Sequence, residues 1–228
     1  FHAGEKKIAL CRTIVKQQRP ILAKNRRESV SVYIAIPFCP SRCRYCSFVS
    51  HSTAGAKSKA LLAEYLEKLL VEIRLLRDKI EENHLHLHTV YIGGGTPTTL
   101  TAPQLDKLLT RVEECFPVRE LEEFTVEAGR PDTITPEKLA VMRAHGVNRV
   151  SVNPQSFNDE VLALSQRPHT AAQAVEAFRM AKEAGFEVVN MDFIAGLPGD
   201  TLESFRHSLD TAIALDPGNI TVHTLSLK

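Results

Sequence analysis

The chain has 228 residues, a formal net charge of +1, 43% hydrophobic and 24% charged residues. That is long enough to bury a core of ordinary size, it has the composition of a globular domain, and its near-neutrality gives no overall pull toward nucleic acid. No apolar run approaches the ~20 residues that a membrane helix needs, and five cysteines are poor material for a disulfide framework, so the chain reads as reduced, intracellular and cytoplasmic.

Residues 1–28 hold eight Lys or Arg against Glu5 and Glu28. The segment 1–29 reads as a basic, solvated helix face, and the opening Phe1 marks it as the tail of a missing upstream region. "VSVYIAIP" (Val30–Pro37) predicts a first strand. A helix over about 57–81 follows, because Leu62, Leu66, Leu69, Leu70, Ile73 and Leu76 recur at spacings of three and four. "HTVYIGGG" (88–95) is a second strand, and a helix from 102 to 115 starts behind Thr101 as N-cap. "LEEFTVEAG" (121–129) is a third strand. A short helix then runs from Thr135, with Pro136 at its first position, to Gly146 as its stop. "VNRVSVN" (147–153), a helix over 170–185, "FEVVNMDFIAG" (186–196), a helix over 201–215 and "NITVHTLSL" (219–227) complete the pattern.

Six strands alternating with helices through short turns demand parallel pairing and right-handed crossovers. An open doubly wound sheet and part of a (β/α) barrel both satisfy the pattern. In either, chemistry gathers beyond the C-terminal strand ends, and the unusual sequence here sits at those ends: a cysteine cluster, "GGGTP", "EAGRP", "NPQSFN" and "MDFIAGLPGD". "HLHLHT", with His84, His86 and His88, lies at the opposite end and reads as a surface strand entry. Arg130 is a candidate partner for substrate carboxylates, and in "RPH" (Arg167 to His169) Arg167 is a candidate for neutralising a carboxylate.

Cys39, Cys43 and Cys46 form C-x3-C-x2-C. Thiolates select zinc, copper(I) or iron–sulfur clusters. A structural zinc site closes with four ligands, and a second cysteine pair is missing: Cys11 precedes the first strand and Cys115 sits in a helix. His51 could close a Cys3His zinc site. The other reading is a [4Fe–4S] cluster with three irons held by thiolates and the fourth open.

C-x3-C-x2-C after the first strand, with Tyr45 before the last cysteine and "GGGTP" after the second strand, resembles the radical S-adenosylmethionine (SAM) superfamily. The resemblance covers nearly all of 30–228. It implies an α/β fold, a partial (β/α)6 TIM-type barrel forming the radical SAM core, with the open iron of a [4Fe–4S] cluster chelated by SAM. It also implies that Gly93, Gly94 and Gly95 bind the SAM amino group and that Glu127 holds its amine or ribose. "VYIAIPFCPSRCRYCSF", "YIGGGTPTTL", "VNRVSVNPQSFNDEVLALSQRPHT" and "VVNMDFIAGLPGDTLESF" look most like the oxygen-independent coproporphyrinogen III oxidase family. From that family Tyr33 is carried over as a SAM contact. Gln155, Arg167 and Asp192 are carried over as contacts to SAM near the cluster, with Tyr45 beside them and Ser226 as a backbone contact after strand six.

Two departures stand out. Phe48 replaces an extra cysteine, a lack shared with the family's haem-chaperone relatives and with the coproporphyrinogen dehydrogenase branch, and Asn153-Pro154-Gln155 replaces "GVQ"; the "NPQSFN" wording resembles the dehydrogenase branch most, and one or two bound SAM molecules stay open. The family chemistry is reductive cleavage of SAM to a 5′-deoxyadenosyl radical, which takes hydrogen from a propionate of coproporphyrinogen III. Loss of carbon dioxide and an electron leaves a vinyl, and two such events give protoporphyrinogen IX. The implied partners are a tetrapyrrole and an electron donor that the sequence does not identify; no membrane partner is expected, and no motif speaks to oligomeric state. A haem chaperone of the same family is the alternative. RNA modification through the basic segment is a third and lesser reading. The family's C-terminal region, which helps to cover the barrel, is expected to be absent.

Overall fold

The computed structural model describes residues 4–23, 26–48 and 50–226. Its elements are α1 (Glu5–Leu22), β1 (Ser29–Ile36), β2 (Phe38–Cys39), β3 (His51–Ser52), α2 (Ala56–Glu82), β4 (His86–Gly94), α3 (Ala102–Cys115), β5 (Glu123–Glu127), α4 (Pro136–Ala144), β6 (Arg149–Gln155), α5 (Asp159–Leu164), α6 (Ala171–Glu183), β7 (Val188–Ala195), α7 (Leu202–Leu215) and β8 (Asn219–Thr224). The main sheet runs β1-β4-β5-β6-β7-β8, with every neighbouring pair parallel. Parallel strands in unbroken sequential order make a barrel wall, whereas a doubly wound sheet reverses its order at a switch point. β1 and β8 are the two edges, so the barrel is partial.

Alternation along each strand divides its residues between two faces. Val32, Ile34, Ile36, Val90, Ile92, Phe124, Val126, Val150, Val152, Val189, Met191 and Phe193 are buried with the helices' apolar stripes in one core. α2 contributes Leu62, Leu66, Leu69, Leu70, Ile73 and Ile80; Leu76, part of the predicted stripe, is exposed. Burial at ~25 cal/mol per Å² of apolar surface makes this outer layer the main source of stability. Thr101, Thr135, Thr170 and Thr201 each accept a backbone N–H as N-cap, typically worth about 1 kcal/mol.

The opposite face points into the barrel and is polar. In most (β/α) barrels, branched apolar side chains fill that space. Here the Asn190 side-chain amide donates to Ser151 Oγ (2.9 Å) and to Asp192 Oδ1 (2.5 Å). Ser151 Oγ donates to Asn153 Oδ1 (2.7 Å), and Asn219 Nδ2 donates to Asn190 Oδ1 (2.6 Å). Hydrogen bonding across β6, β7 and β8 thus satisfies these groups and leaves a polar bore.

Three features depart from the sequence reading. β6 continues through Pro154 to Gln155, where the strand is irregular and Gln155 turns left-handed at φ 69°. β2 and β3 pair in parallel and bracket the cysteine loop. α5 is an additional short helix. β8 ends at Thr224; Leu227, the predicted end of that strand, lies outside the described residues. α1 buries none of its residues, and no helix among the described residues is long and apolar enough to cross a membrane.

Candidate cluster and cofactor site

Cys39 ends β2, and Cys43 and Cys46 follow in the loop 40–48, directly beyond β1. None of the three is in a disulfide. The loop is tied down by a few bonds. The Arg44 N–H donates to the Ser165 carbonyl (3.1 Å) and the Cys46 N–H to the Cys43 carbonyl (3.2 Å). Thr96 Oγ1 lies 3.4 Å from Cys39 Sγ. Burial raises the Cys46 thiol above its ordinary value, and the neighbouring Cys43 and Cys39 sulfurs add to this. Such a thiol ionises readily only where a cation or metal replaces its proton.

Among the described residues, no three His, Cys, Asp or Glu side chains converge as ligands for one ion. His51 is exposed, and its ring packs on Phe38 with centroids 5.6 Å apart. His51 and the three cysteines are thus not gathered in advance around one ion.

The sharpest electrostatic feature is Arg167, 7% exposed. Its Nη2 donates to the carbonyls of Gly129 (3.2 Å) and Asn153, and Nη1 points to Cys43 Sγ at 3.7 Å. Nε has no partner, and no carboxylate pairs with it among the described residues. A buried, uncompensated cation is costly; an anionic thiolate cluster at Cys43 would compensate it. Tyr45 is packed beside the same guanidinium and Cys43, and burial raises its phenol against the pull of Arg167. Gln155 Oε1 is also buried and unpartnered. An unpartnered guanidinium nitrogen on the side chain that touches free Cys43 fits a site built for an anionic iron–sulfur cluster.

The second group lies on β1, β4 and β5. Tyr91 donates to Glu127 Oε1 (2.6 Å), and Tyr33 stacks on Tyr91 with ring centroids 5.6 Å apart. A Cβ on Gly93 would fall 2.9 Å from Glu127 Oε2 and 3.0 Å from the Tyr33 hydroxyl. One on Gly95 would lie 2.6 Å from the Phe38 carbonyl oxygen and 2.9 Å from Cys39 Sγ. Gly94 adopts φ 111° against the Ile36 backbone. The glycines therefore keep a cradle clear between the cysteine loop and Glu127. Asp192 faces the bore beside Asn190. Ser226 is exposed, two residues past β8, and makes no side-chain hydrogen bond to the other candidates.

Glu127 is held above the usual carboxylate range by burial, with Asp192 adding to it. A carboxyl raised in the folded state contributes most below its ordinary value, and that contribution is lost as pH rises through the window above it. At neutral pH Glu127 therefore costs stability. Glu127→Gln is expected to raise Tm at pH 7.5 by about 2–4 °C; a fall in Tm would contradict this.

Arg130 is not available to a substrate. Its guanidinium is 2% exposed, paired with Asp132 and bonded to Ser41. Sequence reading gives no role to Thr96, Ser165 or His169, although Thr96 stands within "GGGTP" and His169 two residues past Arg167 in "RPH"; Ser165 carries no signal. His169 is 2% exposed and donates from Nε2 to the Pro154 carbonyl (3.1 Å), leaving Nδ1 unpartnered. Burial, with Arg167 adding to it, lowers its pKa to about 4. The unfolded chain then binds a proton that the folded chain refuses between pH ~6.5 and ~4, so stability falls as pH drops through that window, by up to about 3 kcal/mol. His169→Gln should flatten that slope in urea midpoints measured from pH 7 to pH 4; an unchanged slope would contradict the assignment. His88, from the predicted surface entry, pairs with Glu122 at 2.7 Å far from this site.

The model of the radical SAM superfamily matches residues 33–212. The chain is 40% identical over 227 residues to the oxygen-independent coproporphyrinogen-III oxidase-like protein HemZ of Bacillus subtilis, covering 98% of this chain and 45% of that protein. It is 38% identical over 199 residues to the heme chaperone HemW of the same bacterium, covering 87% of this chain and 51% of the relative. Among solved structures, coproporphyrinogen III oxidase (HemN) from Escherichia coli, a radical SAM enzyme, matches with a TM-score of 0.76 at 32% identity, over 92% of this chain and 47% of that one. The chain thus spans about half the length of these relatives. A three-cysteine loop, a glycine cradle and a sequential parallel half-open barrel, matched over most of their length, place the chain in the radical SAM superfamily.

Proposed function

We propose that this chain is the radical-forming core of an enzyme that oxidatively decarboxylates propionate side chains of coproporphyrinogen III to vinyls. The observation that carries the radical step is the set of three free thiols beside a buried, unpaired Arg167, opening onto a polar bore. Cys39, Cys43 and Cys46 would hold a [4Fe–4S] cluster, and Gly93, Gly94, Gly95, Glu127 and Tyr33 the methionine and ribose of one SAM. Gln155, Arg167, Asp192, Tyr45 and Ser226 would border the same cofactor or a second one.

When bound, cluster and SAM supply a one-electron reduction that splits the sulfonium into methionine and a 5′-deoxyadenosyl radical. Arg167 compensates negative charge at the thiolates, the glycines admit the cofactor's amino end, and Glu127 with Tyr91 orients it. The apolar outer layer keeps water from the back of the sheet. For each propionate the balance is one hydrogen atom abstracted, one carbon dioxide lost and one electron passed to an acceptor.

Two findings support the oxidase reading: identity to the oxidase-like HemZ extends over 98% of the chain, and HemN has a TM-score of 0.76 at 32% identity. A haem chaperone is the second reading, and one specific observation favours it. Glu127 and Asp192 face the bore, whereas Arg149 is tied to Glu123 (2.9 Å) and Arg130 to Asp132 (2.8 Å), so the described bore offers few cations to a tetracarboxylate, which Arg forks suit best. The deciding experiment is an anaerobic assay of the reconstituted full-length protein with coproporphyrinogen III, SAM and a reductant. Protoporphyrinogen IX formed with 5′-deoxyadenosine supports the enzyme. Stoichiometric haem binding and SAM cleavage without vinyl product would replace it with the chaperone.

A further inference from the structure

Arg130 is among the largest fully buried side chains of the protein, and none of the roles above uses it. Its Nε and Nη2 form a two-pronged bond to Asp132 Oδ1 and Oδ2, both at 2.8 Å. Its remaining nitrogen, Nη1, reaches Ser41 Oγ at 3.1 Å and the Ser41 carbonyl at 3.4 Å. Ser41 sits midway between Cys39 and Cys43. Behind the guanidinium the bonding continues. Thr133 donates to the Arg130 carbonyl from its N–H (2.9 Å) and its hydroxyl (2.7 Å), and the Thr133 and Thr98 hydroxyls lie 2.6 Å apart. Lys138 Nζ donates to the Thr98 and Thr133 carbonyls at 2.6 and 2.9 Å. A strut therefore runs from the first turn of α4, through the loops after β5 and β4, to the middle of the cysteine loop.

We propose that Arg130, aimed by Asp132, is a positioning residue that holds Ser41 so that Cys39 and Cys43 are set before a cluster arrives. Loop 40–48 has no regular secondary structure, and ordering it at the moment of loading would subtract from cluster affinity. Arg167 grips the same loop at Cys43 and Ser165 grips it at Arg44; Thr53 and Thr96 hold Cys39, and Ser52 holds Pro40, while Arg130 is the side chain that holds Ser41 among the described residues. Because Asp132 neutralises it, Arg130 acts through geometry, not net charge. Lysine, which keeps the charge but has no planar fork, will not substitute for it.

The proposal rests on the cluster reading above, so the test separates the two. Hydrogen exchange is measured on the apo chain. Iron and sulfide content, and the rate of cluster loss to a chelator, are measured on the anaerobically reconstituted chain, for wild type, Arg130→Lys and Ser41→Ala. Arg130→Lys is expected to exchange the amides of residues 41–45 about tenfold faster with the strand amides unchanged, and to lose its cluster roughly tenfold faster. Ser41→Ala is expected to move both rates in the same direction by about threefold. If wild type takes up no iron and sulfide, the cluster reading fails, while the apo exchange result still judges the latch. If wild type loads and Arg130→Lys matches it in both rates, the latch is overturned. Should Arg130→Lys fail to fold, Ser41→Ala decides, and unchanged rates there overturn it.

Discussion

Cys43→Ser is expected to abolish SAM cleavage, with the rate down by more than about 100-fold, and to leave a folded chain with little bound iron or sulfide. The reason is the arithmetic of ligands. Cys39, Cys43 and Cys46 are three thiols that no fourth His, Cys, Asp or Glu joins in a ligand group among the described residues; the His51 ring packs on Phe38. Removing one of three anchors from a cubane costs more than the 10–100-fold that outer partners of a metal typically cost. Serine nearly matches the volume of cysteine, so the fold should lose only about 1–2 kcal/mol at this buried position. Cys11→Ser, on exposed α1, and Cys115→Ser, at the end of α3, are the controls and should leave iron content unchanged. A Cys43→Ser protein that still carried a full complement of iron and sulfide would contradict the assignment.

Arg167→Met separates the apo from the loaded protein. Without a cluster, the buried guanidinium has no counter-ion among the described residues, so methionine of comparable length relieves a cost while stranding the Gly129 and Asn153 carbonyls. These effects oppose each other, and the apo Tm should move by less than about 4 °C. With a cluster the loss is one-sided. A unit charge about 5 Å away at an effective dielectric of ~20 contributes about 3 kcal/mol. That corresponds to a shift on the order of 100 mV in a one-electron potential. The cation favours the more negative, reduced state, so Arg167→Met should lower the potential and leave a smaller share of the cluster reduced at a fixed donor potential. A potential within error of wild type, with the cluster loaded, would show that Arg167 shapes the loop without acting on the cluster's charge.

Much of this was legible in the residues. Every helix with a Thr cap and a three–four apolar stripe was found within one or two positions, because burial on one face dictates that spacing. Each main strand was found because Val, Ile and Phe at alternate positions pack under the helices. Periodicity could not choose between a doubly wound sheet and a barrel; strand order decided it. The polar bore was half visible: Tyr33, Tyr91, Glu127, Asn153 and Asp192 alternate with the core residues, but alternation does not say which face encloses a space. β2 and β3 were missed because two-residue strands carry no period. Gln155 was placed as a site residue by resemblance, yet its left-handed backbone needed coordinates. Arg130 shows the limit most clearly. "EAGRP" at a strand end suggests an exposed arginine reaching for substrate, whereas Asp132 and Ser41, one close in sequence and one distant, together bury it.

The acidic faces of Glu127 and Asp192, the cation at Arg167 and the glycine cradle matter only if the three thiols carry a cluster with a free corner. Iron and acid-labile sulfide analysis of anaerobically reconstituted protein, followed by electron paramagnetic resonance of the reduced sample with and without SAM, tests this directly. Expected are about four irons and four sulfides per chain, with a cluster signal that changes when SAM is added. Stoichiometric zinc without sulfide, or a cluster signal indifferent to saturating SAM, would rule out a cluster with a free corner.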